Sequence, residues 1–305
     1  MNRPNFAIAG APRCGTTALY TYLAEHPSIY MSSVKELNYF AEDFPGMRKI
    51  PFQTELDYLK MFAGAGENHL AVGEASPFYL FSTVAFKNMY QFNPAHRLIL
   101  SLRNPVDFIQ SFHRLNLSLL REDQDDLRTA WTLEPERKEG KHIPSGCRDL
   151  DLILYSEVGK FGQYVEKLFQ IFPRDQVYVV VFEDFARSPQ TIYEELLAFL
   201  DVPSDGRTDF TPVNASFEPK SKFFNWFLHP PKPVYDLFKK VSKALGVGFT
   251  QRIYKAHESV ERRNVTQKKR APMDPILRRE LQDHFREDIH LLESLIGRDL
   301  NQWLA

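Results

Sequence analysis

The chain opens on an uninterrupted apolar run, Asn5–Gly10 (NFAIAG), then a glycine-bounded loop, then Thr16–His26, where Leu19, Tyr22 and Leu23 recur at helical spacing. Strand, loop and helix follow one another directly. Short apolar runs of the kind that fill buried strands recur at Ile29–Met31, Leu70–Gly73, Arg97–Leu102 (RLILSL) and Gln176–Phe182 (QVYVVVF). Helical periodicity lies between them, over Phe81–Tyr90, Val106–Leu119 and Val158–Phe172. Apolar strands alternating with amphipathic helices predict an α/β three-layer sandwich around a central, mostly parallel sheet. Ligands of such sheets bind at the carboxyl ends of the strands. A final helix over Asp274–Leu295 carries Leu277, Leu281, Phe285, Ile289, Leu292 and Leu295 on one face, which should pack inward.

Two stretches break this rhythm. Residues 112–155 form a charged, weakly periodic insertion, predicted to be a helical excursion with a loop near the mouth of the site. Residues 219–270 are rich in proline, aromatic and basic side chains and end in Lys268, Lys269 and Arg270, a run expected to be a solvated surface. The expectation is one domain over 1–305 containing both.

Composition narrows the function classes. With 38 Lys and Arg against 39 Asp and Glu the net charge is −1, so no global field favours nucleic acid or an anionic membrane, and any anion site must be local. Two cysteines in 305 residues point to free thiols in a reducing compartment. The start lacks signal-peptide character and no stretch of about twenty apolar residues follows, so a cytoplasmic setting is expected.

The most informative segment is Gly10-Ala-Pro-Arg13-Cys14-Gly15-Thr16-Thr17. Two glycines bracket four residues between a strand and a helix, the spacing with which phosphate loops offer backbone N–H groups to an anion. The lysine expected of a nucleoside triphosphatase is replaced by Thr16, and a cation stands inside the loop instead, as Arg13. A second strand-to-helix junction supplies Arg103-Asn104-Pro105, with proline where a helix start tolerates it. An arginine there suits a phosphate, through two parallel hydrogen bonds, and takes the place of the aspartate that would hold magnesium in an ATPase. Glu183-Asp184, after the last strand, reads as a pair of turn and capping carboxylates. Cys14 invites a thiol role at a helix start, but a small loop residue is the simpler reading.

GAPRCGTT followed by ALYTYLAEHP resembles the 5′-phosphosulfate loop of sulfotransferases that use 3′-phosphoadenylyl sulfate (PAPS). The Arg97–Ser111 segment resembles that family's 3′-phosphate site, VYVVVFEDFARSPQTIYEELLAFLDVP its strand and acidic turn, and REDIHLLESLIGRDLNQWL its terminal helix. The resemblance implies that Arg13, Cys14, Gly15, Thr16 and Thr17 hold the phosphosulfate, that Arg103 and Ser111 hold the 3′-phosphate, and that Lys220, Ser221 and Lys222 lie on a loop closing over the nucleotide. It further implies PAPS as donor, adenosine 3′,5′-bisphosphate (PAP) as product and no metal. Glu36, in SVKELNYF, matches the position of the family's carboxylate base in its carbohydrate-modifying branch, with Lys35 adding positive potential and Arg13 stabilising the leaving group. His113 is the alternative base. Glu74, in GEASPFY, is a candidate for orienting a cation or the acceptor, and Ala75 stands where relatives acting on heparan-type chains often carry lysine. Glu122, Asp123, Asp125 and Asp126, if they line the mouth, favour neutral or cationic acceptors, and a small natural product is expected over a glycan, with no nucleic-acid or membrane partner. A kinase or a non-catalytic nucleotide-binding module are the rival classes.

Overall fold

The computed structural model describes residues 3–48, 52, 54–211 and 272–304, with short pieces between 217 and 267. It divides into two compact units.

The first unit, residues 1–103 with 168–215 and 242–254, is built on a parallel five-stranded sheet: β1 (Phe6–Gly10), β2 (Ile29–Met31), β3 (Ala71–Ala75), β4 (Arg97–Leu102) and β5 (Val177–Val181), in the spatial order β2-β3-β1-β4-β5. All five β1 residues are buried, which is why the run is apolar at every position instead of alternating. On one face, Phe6, Ile8, Ile99 and Val180 pack with Leu19, Tyr22 and Leu23 of α1 (Thr16–Ala24) and with Tyr193, Leu196 and Leu197 from the helix Pro189–Phe199. Ala7, Ala9, Leu98 and Leu100 point the other way and are also fully buried, so both faces are covered.

The chain steps from β1 to β2 and back to β3 on one side, then crosses β1 to reach β4 on the other. The direction of winding therefore reverses between β1 and β4. At such a switch point the loops leaving neighbouring strands diverge and open a crevice above the carboxyl ends.

In the second unit, residues 104–167, 216–241 and 255–305, the helix Pro105–Ser118 packs against the long helix Pro275–Ile296, and Arg278 pairs with Asp107 at 2.6 Å. The 112–155 insertion is held by an enclosed cluster: Arg137 grips both Glu122 oxygens at 2.6 and 2.8 Å, and the Tyr155 hydroxyl donates to the same carboxylate at 2.9 Å. Two expected helices are displaced. Phe81–Tyr90 becomes a 3₁₀ turn at Pro77–Phe81 and a helix over Ala85–Phe92. Val158–Phe172 is broken into Tyr155–Val158 and Phe161–Phe169, and at the break the Phe285 ring packs so close to Gly159 that a Cβ there would lie 2.4 Å from it.

Candidate active site

Ser101 and Arg103, at the end of β4, stitch the loop after β1 to the sheet. The Ser101 carbonyl accepts from the Ala11 N–H at 2.7 Å, the Ser101 hydroxyl donates to the Cys14 carbonyl, and Arg103 Nη1 reaches the Arg13 carbonyl at 3.5 Å. The loop then turns on Gly15, whose φ of +79° only glycine adopts without strain, and whose α-carbon faces the Phe182 ring where a Cβ would approach to 3.0 Å. Gly15 caps α1 without a side-chain hydrogen bond, so the first N–H groups of the helix are left to point out of its end. Backbone N–H groups so placed can cradle an anion, and the half-buried Arg13 lies in the same loop, itself at φ +65°.

A second cation stands beside it. Arg103, only 5% exposed, lies with its guanidinium 4.8 Å over the Phe182 ring. Two arginines therefore occupy the two strand tips that flank the switch point. Lys35 donates to the Thr17 hydroxyl at 2.8 Å and lies over the Tyr20 ring, which brings a third positive charge to the start of α1. Ser101 and Phe182 were not singled out in the sequence. A hydroxyl inside the otherwise apolar RLILSL strand was the available signal for Ser101, whereas Phe182 reads as one more strand residue.

Glu36 follows Lys35 at the carboxyl edge of β3, its N–H donating to the Ala75 carbonyl at 2.7 Å. Its backbone is left-handed, φ +59°, and so is that of Asn38, φ +48°. Each such non-glycine residue costs roughly 1–2 kcal/mol, so the surrounding contacts must hold the segment in place. The Glu36 side chain is half-buried, neither sealed in the core nor free in solvent.

Other candidates change role. Glu74 is wholly buried, with three hydroxyls donating to its carboxylate, from Tyr58 at 2.8 Å, Tyr79 at 2.9 Å and Ser76 at 2.6 Å, so it is not placed to touch an acceptor. Burial raises its pKa, opposed by those three hydrogen bonds. His113 is 3% exposed, bonds the Gln124 carbonyl at 2.8 Å and has its pKa lowered by burial, so little of its ring is open to a bound acceptor. Ser111 lies on the helix Pro105–Ser118, 6% exposed. Of the acidic run, Glu122 is sealed against Arg137, whereas Asp123, Asp125 and Asp126 stay exposed, Asp126 capping the helix Leu127–Thr132 through Thr129 at 3.0 Å. Cys14 is fully buried, which pushes its thiol pKa up to about 12 and leaves it inert. Lys220, Ser221 and Lys222 lie outside the described residues. Among the described residues, no group of three or more His, Cys, Asp and Glu side chains is gathered to hold a metal ion, and no helix is long and apolar enough to cross a membrane.

In comparison with known families, residues 3–230 match the sulfotransferase domain. The chain belongs to the sulfotransferase domain family. A solved sulfotransferase from Alicyclobacillus acidocaldarius shares 28% identity over the whole of both chains, with a TM-score of 0.70. Among curated relatives, the membrane-associated sulfotransferase kil1 of Dictyostelium discoideum is 22% identical over 78% of this chain, and human carbohydrate sulfotransferase 15 is 23% identical over 65%. The matches span 65% and 44% of those two proteins, so this sulfotransferase domain represents only part of their length.

Proposed function

We propose that this sulfotransferase domain moves a sulfuryl group from PAPS to a hydroxyl of a small neutral acceptor, releasing PAP. The observation that carries the reading is the pair of cationic strand tips: a loop with Arg13 after β1 for the phosphosulfate, and Arg103 at the end of β4 for the 3′-phosphate. Glu36 accepts the acceptor proton as its oxygen attacks sulfur. The bond from sulfur to the bridging phosphate oxygen breaks, and the charge left on PAP is met by the loop N–H groups and Arg13, with Lys35 close by. A carboxylate that is half-buried at the edge of the sheet can both reach a bound hydroxyl and exchange its proton with solvent afterwards.

Support for a neutral acceptor comes from the edge of β3, where the small, enclosed Ala75 adds no cation next to Glu36. A carbohydrate acceptor is the second reading, favoured by the names of the human and mouse carbohydrate sulfotransferase relatives. Incubation with sulfur-labelled PAPS and a panel of neutral, cationic and anionic alcohols separates the two. Arg13→Ala and Glu36→Gln should both abolish transfer, and Glu36→Gln should leave PAP affinity intact. Near-normal transfer by Glu36→Gln would remove the base from this scheme.

A further inference from the structure

The Glu74 carboxylate is wholly buried, which is costly for a charged group, and nothing in the transfer step uses it. What it does contact leads back to Glu36. An ionised carboxylate only accepts hydrogen bonds, so the hydroxyl protons of Ser76, Tyr58 and Tyr79 are all turned towards Glu74. That leaves the lone pairs of Ser76 and Tyr79 facing outward, and both are used. The Ser76 hydroxyl accepts from the Asn38 N–H at 3.0 Å, and the Tyr79 hydroxyl from the Phe40 N–H at the longer distance of 3.4 Å. Asn38 in turn ties the segment to itself: its side-chain N–H₂ donates to the carbonyl of Glu36 at 3.1 Å and to that of Met47 at 3.0 Å. The left-handed turns at Glu36 and Asn38 are thus clamped by a relay running from carboxylate to hydroxyl to backbone.

We propose that Glu74 and Ser76 are positioning residues for the base, with the Glu74 carboxylate fixing the direction of the Ser76 hydroxyl so that Asn38 holds Glu36 in its left-handed conformation. The inference rests on the reading of Glu36 as base. Tyr58 provides the internal control. Its hydroxyl donates to the same Glu74 oxygen as Tyr79 but makes no onward bond to the 36–40 segment among the described contacts, so Tyr58→Phe and Ser76→Ala each delete one donor to the carboxylate and only the second cuts the relay.

Two readouts are taken on wild type, Ser76→Ala, Tyr58→Phe and Glu36→Gln: conversion of PAPS to PAP with 2-naphthol and with water as acceptors, and hydrogen exchange of the Asn38 amide. Ser76→Ala should lower kcat about ten- to a hundredfold, the loss that follows from a base displaced by a fraction of an ångström to one ångström, with PAP affinity within about twofold of wild type. Its Asn38 amide should exchange at least about tenfold faster, the effect of opening one buried hydrogen bond. Tyr58→Phe should leave both readouts close to wild type, even if both variants melt at lower temperature. Equal losses of kcat in Ser76→Ala and Tyr58→Phe, or unchanged exchange at Asn38 in Ser76→Ala, would overturn the positioning role. Retained turnover in Glu36→Gln with fast exchange in Ser76→Ala would instead refute the base while leaving the clamp standing.

Discussion

Replacing Arg103 by alanine perturbs one strand tip and leaves the loop sequence intact. The guanidinium is 5% exposed and stacked on Phe182, so a 3′-phosphate meeting it does so largely away from water. A hydrogen bond to a charged partner is worth about 1.5–3 kcal/mol, and the arginine fork offers two in parallel. Allowing for the desolvation of the free enzyme's own arginine, a net loss of about 3–4 kcal/mol is expected, which weakens PAP binding by roughly 150- to 900-fold. Adenosine 5′-monophosphate lacks the 3′-phosphate and reports on the other cradle alone. Its affinity should fall by no more than about threefold, the small remainder coming from the long 3.5 Å contact of Arg103 with the Arg13 carbonyl. Calorimetric titration of both nucleotides into wild type and variant measures the two effects side by side. Equal losses for PAP and the monophosphate would mean that Arg103 only braces the loop, and an unchanged PAP affinity would remove the second anion site altogether.

Gly15→Ala should lower both thermal stability and PAP affinity, since a left-handed alanine costs roughly 1–2 kcal/mol and its Cβ would press on Phe182; melting curves with and without PAP check this. Cys14 should resist alkylation by iodoacetamide at pH 8 while the chain is folded, because its thiol stays protonated up to about pH 12, and rapid loss of enzyme by Cys14 modification would contradict that burial. Lys160 and Lys138 hold the Glu157 carboxyl down to about 2 from its ordinary 4.5. A depressed carboxylate pKa stabilises the fold above pH 4.5 and loses that effect as pH falls towards 2, so Glu157→Gln should melt earlier than wild type at pH 7 and converge with it near pH 2.

Much of the sheet was legible because its central strands are buried on both faces, which makes runs such as FAIAG and the LIL of RLILSL apolar at successive positions. The turn from β1 into α1 was legible for the opposite reason: proline, arginine and two glycines at the end of an apolar strand mark a place where the backbone turns sharply, as it does at Gly15. Roles that depend on distant partners were not readable. Glu74 looks like any carboxylate at a strand end until Tyr58, sixteen residues earlier, closes over it. Glu122 reads as part of an acidic rim, yet Arg137, fifteen residues later, pulls it inside. The left-handed turn at Glu36 carries no glycine or asparagine of its own to announce it; Asn38, a residue type that tolerates that conformation, holds the Glu36 carbonyl through its side chain.

Titration of adenosine 3′,5′-bisphosphate into the intact chain, in a chelating buffer free of divalent ions, tests the paired strand-tip sites most directly. Saturable one-to-one binding that is unaffected by added magnesium is the expected result. Absence of binding, or preferential magnesium-dependent binding of ATP, would contradict it.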